Sequence, residues 1–281
     1  MVDPQNPYRP PVAISADSFR RMDDDQAFRA PARKVPSGNG AAWIGAGWEQ
    51  FKRAPGMWIV AMLVYVGLTT LVRAFPGIGS IANIVLGPLF MAGLLAFAQG
   101  VAQGGSGNLN DLFAGFRGSR TGDLVVVGVL YLALLIAAMV IGAIFLVVFS
   151  GVGIGLFTAA DPEKALQGLL AAQGILLVLA GVLVVLGLVM LAVAAYWFAP
   201  ALVFFAGMSP ADAMKESFLA TFRNWAPCLV YGLLVSLVLL GGFLALVIGL
   251  VVALPVVLAS YYASFEDLYA VGGEIPANGA R

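Results

Sequence analysis

The sequence predicts an all-α, polytopic membrane helix bundle, with six transmembrane helices paired as three hairpins and amphipathic helices at the interface between them. Three observations predict it. Hydrophobic residues make up 61% of the 281 residues and charged ones 11%, against about 45–50% and about 25% in ordinary soluble domains. Uncharged apolar runs recur along the chain at about 20 residues or its multiples, the length that crosses ~30 Å of hydrocarbon. Two matching phrases, FKRAPGMW (51–58) and FRNWAPCL (222–229), each set an aromatic-basic pair and an Ala-Pro step in front of such a run.

Residues 1–45 hold Pro4, Pro7, Pro10, Pro11, Pro31 and Pro36 among polar and charged side chains. They lack the apolar core of a signal peptide, and the composition predicts a disordered cytoplasmic tail. A six-span membrane domain is expected over 46–270, followed by a short cytoplasmic tail at 271–281.

The first span is read at 55–75, with Arg73 close enough to the end to snorkel. The turn PGIGS (76–80) reverses the chain into a second span at 81–103. The third, 124–149, carries no charge and runs into the glycine-rich SGVGIG. Asp161 as cap and Pro162 as first helical residue begin a helix that continues into the fourth span, 175–198. The stretch 225–262 has no charged side chain and is about two crossings long, with Gly241-Gly242 near its middle. It is read as spans five and six joined by a tight turn.

Cytoplasmic loops retain Lys and Arg. In the six-span arrangement thirteen of the fifteen basic residues fall on one face, and Arg73 and Lys164 on the other. Both termini are therefore expected to be cytoplasmic. Each hairpin then begins on that face at an aromatic-basic pair: Phe51-Lys52, Phe116-Arg117 or Phe222-Arg223. The ring would bed at the acyl boundary while the cation meets lipid phosphate. The returning helices echo one another in PLFMAG, PALVFFAG and PVVLAS, which suggests three hairpins of one design. Between hairpins, SPADAMKESFLATFR (209–223) offers Ser209 as N-cap and Pro210 at the first helical position. Its stripe of Ala211, Met214, Phe218 and Phe222 predicts a helix lying flat on the interface. NLNDLFAGFR (108–117) reads as a shorter version.

Within lipid, helices associate through small residues that let backbones approach. Ala92, Ala96, Gly100 and Gly104 recur every fourth residue and form a candidate packing ridge, with Gln99 and Gln103 beside it as candidate polar contacts or a polar cavity. Pro88, Pro200 and Pro255 are candidate helix kinks.

The chain has no histidine, so it offers no His-based triad or His-ligated metal site, and Cys228 is its only cysteine. No nucleotide-binding loop occurs, and the balance of fifteen basic against fifteen acidic residues argues against nucleic acid. No charged residue falls in mid-span, where a proton relay or charged-substrate site would need one. These features predict a non-enzymatic integral membrane protein with no cofactor and no metal, scaffolding partners or organising lipid. Its partners would be membrane lipids and a cytoplasmic or membrane protein. A second expectation is a transporter or permeation pathway for a small neutral or lipid-like molecule, which requires a midplane cavity lined by Gln99, Gln103, Tyr131 or Tyr196. An enzyme acting on lipid would require Asp111, Asp123 and Glu216 to converge.

The segments GWEQFKRAPGMWIV, GPLFMAGL, DLFAGFR, NWAPCLVYGLL and LPVVLASYYASFEDLY, taken in order, resemble a family of uncharacterised six-span bacterial inner-membrane proteins. That family is distantly similar to the membrane domain attached to some glycerophosphodiester phosphodiesterases. The resemblance covers about residues 47–269 and implies the topology and a Gram-negative inner membrane. It implies no activity, since none of the matching segments is a catalytic signature.

Overall fold

The computed structural model describes residues 28–150, 163, 172–245 and 248–270. In chain order the helices are α1 (Asn39–Arg53), α2 (Pro55–Arg73), α3 (Gly79–Ala102), a 3-10 turn (Leu109–Phe113), α4 (Ala114–Arg117), α5 (Thr121–Ser150), α6 (Ala172–Tyr196), α7 (Ala199–Ala206), α8 (Pro210–Arg223), α9 (Trp225–Leu244) and α10 (Leu250–Tyr269). Six segments are long and apolar enough to cross a membrane, with α6 and α7 together supplying the fourth, Ile175–Ala206. The chain is thus an all-α bundle of six candidate spans. The expected helix start at Asp161-Pro162 lies outside the described residues.

Local chemistry sets the boundaries. Pro55 occupies the first turn of α2, where its missing N–H costs no helical bond. At the far end of α3, the Gly105 N–H reaches the Gly100 carbonyl at 3.0 Å and the Gly104 N–H reaches the Val101 carbonyl at 3.1 Å. That pair of bonds is a Schellman closure, and it needs the left-handed φ of +90° that Gly104 adopts. Ser209 caps α8 by accepting from the Asp212 N–H at 3.3 Å, as the sequence predicts.

Two boundaries depart from expectation. Gly241-Gly242 lie within α9, which continues to Leu244, and α10 begins at Leu250, so the two glycines do not form the turn. Gly242 instead lets the two helices approach, since a Cβ there would lie 3.0 Å from the Ala253 Cβ. The second departure is the tail. Residues 28–45, expected to be disordered, are ordered against the bundle: Phe28, Ala32 and Val35 are buried, and α1 begins at Asn39 with Trp43 wholly enclosed.

Burial is strongly uneven along the spans. In α3 the buried run begins at Pro88, in α10 at Ala253 and Pro255, and in the fourth span at Phe198, two residues before Pro200. These segments join Trp58 of α2, Tyr231 of α9, buried residues of α8 and Phe28, Ala32 and Val35 in one contiguous core, with Trp58 edge-on to Phe97 at 4.9 Å and Phe205 stacked on Phe265 at 5.6 Å. The other halves of the same helices point large apolar side chains outward, including Leu63 and Leu71 in α2, Ile136 and Ile144 in α5, Leu183 in α6 and Leu237 in α9. Such a surface requires an apolar solvent. The bundle is therefore a dense cap at one end and sparsely packed, outward-facing helices at the other. All three prolines singled out in the sequence stand where a helix passes from one regime to the other.

Candidate functional site

The densest polar constellation lies in the cap, where residues 28–38 cross the ends of α8 and α10 as an extended strap. Pro31 and Pro36 keep this segment from coiling, so its peptide groups must find partners elsewhere. The Arg29 and Arg33 N–H groups donate to the carbonyls of Tyr269 (2.9 Å) and Leu268 (3.0 Å). The Ala32 N–H donates to Glu216 Oε1 at 2.8 Å and the Val35 N–H to Asn224 Oδ1 at 2.9 Å. In return Asn224 Nδ2 donates to the Arg33 carbonyl at 3.0 Å and Arg223 Nη1 to the Ala32 carbonyl at 2.8 Å. Glu216 and Asn224, both buried, thus read the strap through its backbone.

Asp267 is the second fastening. Its carboxylate is 1% exposed and accepts from the Arg33 guanidinium, from Asn39 Nδ2 at 2.8 Å and from Trp43 Nε1 at 2.7 Å. A buried carboxylate persists only when its lone pairs are so occupied. It ties strap and α1 to the last turn of α10. α1 is admitted to this position by glycine: a Cβ on Gly47 would lie 2.6 Å from the Val256 carbonyl oxygen, and one on Gly40 would overlap the carbonyl of Pro227.

The third element is the interruption of the fourth span. Pro200 has no N–H and sits at the start of α7, so it marks a break rather than the kink expected of it, whereas Pro88 and Pro255 lie inside continuous helices. The Ser217 hydroxyl enters the break, accepting from the Phe198 N–H and donating to the Ala194 carbonyl, each at 2.8 Å. The freed Trp197 carbonyl accepts from the Tyr261 hydroxyl.

α8 accordingly presents a different face from the one its apolar stripe predicts. Ala213, Met214, Glu216, Ser217 and Ala220 are buried, while Leu219 and Phe222 point outward. The outward row continues through Trp225, Leu229, Leu233 and Leu237 of α9.

The candidate ridge on α3 is placed differently from expectation. Ala92 is fully buried, Ala96 and Gly100 partly so, and Gln103 and Gly104 are exposed. Gly104 serves the helix terminus, not packing. The closest backbone approach lies one position over, at Gly93, where a Cβ would overlap the Leu112 carbonyl. Gln99 lies beside the Tyr262 hydroxyl. Tyr131 stacks on Tyr196 with centroids 4.3 Å apart, and none of Gln99, Gln103, Tyr131 and Tyr196 lines either hollow described below. The three carboxylates also serve separate places. Asp123 pairs with Arg120 at 3.2 Å, and Glu216 holds the strap. Asp111 lies by Gly100, and burial raises its carboxyl above the usual range. Of the three aromatic-basic pairs, Phe116 and Phe222 are exposed but Phe51 is buried, and Trp48, stacked on it at 5.7 Å, takes the outward position.

Neither the strap nor α1 could be found by hydropathy. The available pointers were the spacing of Gly40 and Gly47 and the acidic pair Glu266-Asp267 closing an apolar helix, both of which also fit ordinary loops.

Open hollows lie on two faces of the cap-bearing helices. One, of about 400 Å³, lies against the start of α8 beside Asp212, Lys215 and Glu216. The other, of about 390 Å³, is apolar and lies between α1, α9 and α10. Comparison of the chain with protein-family models, with characterised proteins and with solved structures finds no match.

Proposed function

We propose that this chain is a non-enzymatic integral protein of a bacterial inner membrane, with both termini cytoplasmic, that organises lipid around its cap and scaffolds a partner there. The supporting observation is the facing of α8. Glu216 and Ser217 are engaged inward on the strap and the broken span, and Leu219 and Phe222 run outward into the row Trp225, Leu229, Leu233 and Leu237. A helix so placed seats an aromatic belt at the headgroup boundary. Lys215, exposed on α8, suits an anionic headgroup. The strap-bearing end is the cytoplasmic one on the distribution of Lys and Arg.

The test is reconstitution into phosphatidylethanolamine–phosphatidylglycerol vesicles carrying a spin-labelled phospholipid. The wild-type chain should immobilise a boundary population that shrinks in the double variant Leu219→Ser, Phe222→Ser. An unchanged population, or turnover of a lipid substrate abolished by one side-chain change, would replace this reading.

A further inference from the structure

We infer that the groove under the strap is a peptide-binding site which the strap occupies in cis, and that the partner scaffolded at the cap docks an extended basic segment there in its place. This rests on the scaffolding part of the function proposed above and gives the partner its chemistry. The cap recognises the strap largely through its main chain, which any extended segment shares. Glu216, Arg223 and Asn224 between them bond the N–H groups of Ala32 and Val35 and the carbonyls of Ala32 and Arg33. Side chains then select. The Phe28 ring lies 5.3 Å from that of Phe205 and 4.9 Å from that of Phe265, Ala32 and Val35 are buried, and Arg33 meets Asp267. Residues 28–38 include Arg29, Arg33 and Lys34 and no acidic residue, whereas the two carboxylates they touch, Glu216 and Asp267, are buried. The fitting ligand is an extended basic segment with an aromatic, a small residue, an arginine and a branched apolar residue at the spacing of Phe28, Ala32, Arg33 and Val35.

The groove is built to outlast its occupant. Asp267 also accepts from Asn39 and Trp43 of α1, Glu216 lies 4.0 Å from Arg223, and Asn224 Nδ2 also donates to the Ala220 carbonyl at 3.2 Å. Departure of the strap therefore leaves none of these residues without a partner. α1 is seated separately, through Gly40 and Gly47. The joint between it and the strap is Ser37-Gly38, which is exposed, with open space in the Cβ direction of Gly38. The strap also leaves one group of the groove unserved. The Tyr269 hydroxyl, within electrostatic reach of Glu216 and Arg223, is buried with no hydrogen-bond partner among the described residues. A tethered occupant competes as though at about millimolar concentration, so the strap sets a threshold that a partner segment must exceed.

The probe is a fluorescein-labelled peptide of residues 28–36, added to the full-length chain in phosphatidylcholine nanodiscs, whose zwitterionic surface does not attract it, and followed by anisotropy. The double variant Phe28→Ser, Arg33→Gln loosens the tethered strap and leaves the groove untouched. It should bind the peptide at least about tenfold more tightly than wild type, the change expected when a competing anchor loses one buried aromatic ring. Adding Asn224→Ala, in the groove, should remove that binding. A loosened chain that keeps its helical circular dichroism and captures no peptide overturns the proposal. So does equal binding of a scrambled peptide of the same composition, which would be adsorption by charge alone. A second measurement leaves the strap's own sequence intact: a protease site is inserted between Ser37 and Gly38 and cut in the purified chain. The released fragment should exchange for the labelled peptide, and a fragment that never exchanges overturns the proposal. Boundary lipid is read separately by the spin label, so loss of the groove leaves the lipid-organising role standing.

Discussion

The Ser217 hydroxyl occupies the position of a helical hydrogen bond between Phe198 and Ala194, accepting from one and donating to the other at 2.8 Å. It is fully buried, so a side chain of α8 completes a backbone bond of the fourth span. That joins the two elements more firmly than apolar contact alone, because the alternative is two orphaned peptide groups.

Ser217→Ala should therefore lower the stability of the purified protein by about 1–3 kcal/mol, the cost of leaving buried polar groups unpaired. Thermal unfolding in detergent measures it, with Ser236→Ala as control: Ser236 is exposed and bonds only within its own helix, to the Gly232 carbonyl. Equal midpoints for the two variants would mean that water or a backbone shift repairs the break.

Asp267 fastens both the strap and α1, so Asp267→Ala leaves the donors of Arg33, Asn39 and Trp43 facing a void. A loss of about 3–5 kcal/mol is expected where one partner of a buried pair is removed. The loss should be accompanied by rapid proteolysis within 28–38. Trp43→Phe, which removes one donor and keeps the ring, should cost less and leave the strap protected. If the strap is cut equally fast in wild type, it is not held as described.

Gly93 and Gly232 form a paired test of packing. Gly93→Ala would press a methyl into the Leu112 carbonyl, while Gly232 faces open space. Overpacking of about 1–3 kcal/mol is expected for the first. The second should be neutral or slightly stabilising, as Ala replaces Gly in a helix. Identical unfolding midpoints would sink the placement of the 3-10 turn on α3.

Orientation is checked by reporter fusions after Gly105, Ala160, Ser209 and Arg281. The six-span arrangement with cytoplasmic termini expects Ala160 alone to report from the periplasm. A periplasmic Arg281 would require 225–262 to cross once and would reverse the orientation assigned to the strap.

Hydropathy by itself determined the six spans, the helical class and the polar start of α8, because transfer of about 20 residues into hydrocarbon and the capping of a helix terminus are local matters. It also marked Pro88, Pro200 and Pro255 as exceptional, though not why. Only the tertiary structure decided that each stands where a helix enters the cap, that Gly104 ends a helix while its neighbour row at Gly93 packs, and that α8 turns its small and polar face inward. It also decided that 28–45 belongs to the fold: α1 is 15 residues long and carries Glu49, Lys52 and Arg53, so it is too short and too polar to register as a span, and the helical spacing of Trp43, Gly47 and Phe51 does not say which neighbour that face meets. What holds it is Asp267, more than 220 residues away in the chain from Asn39 and Trp43. A contact of that kind depends on where the helices meet, and no local stretch of sequence contains that information.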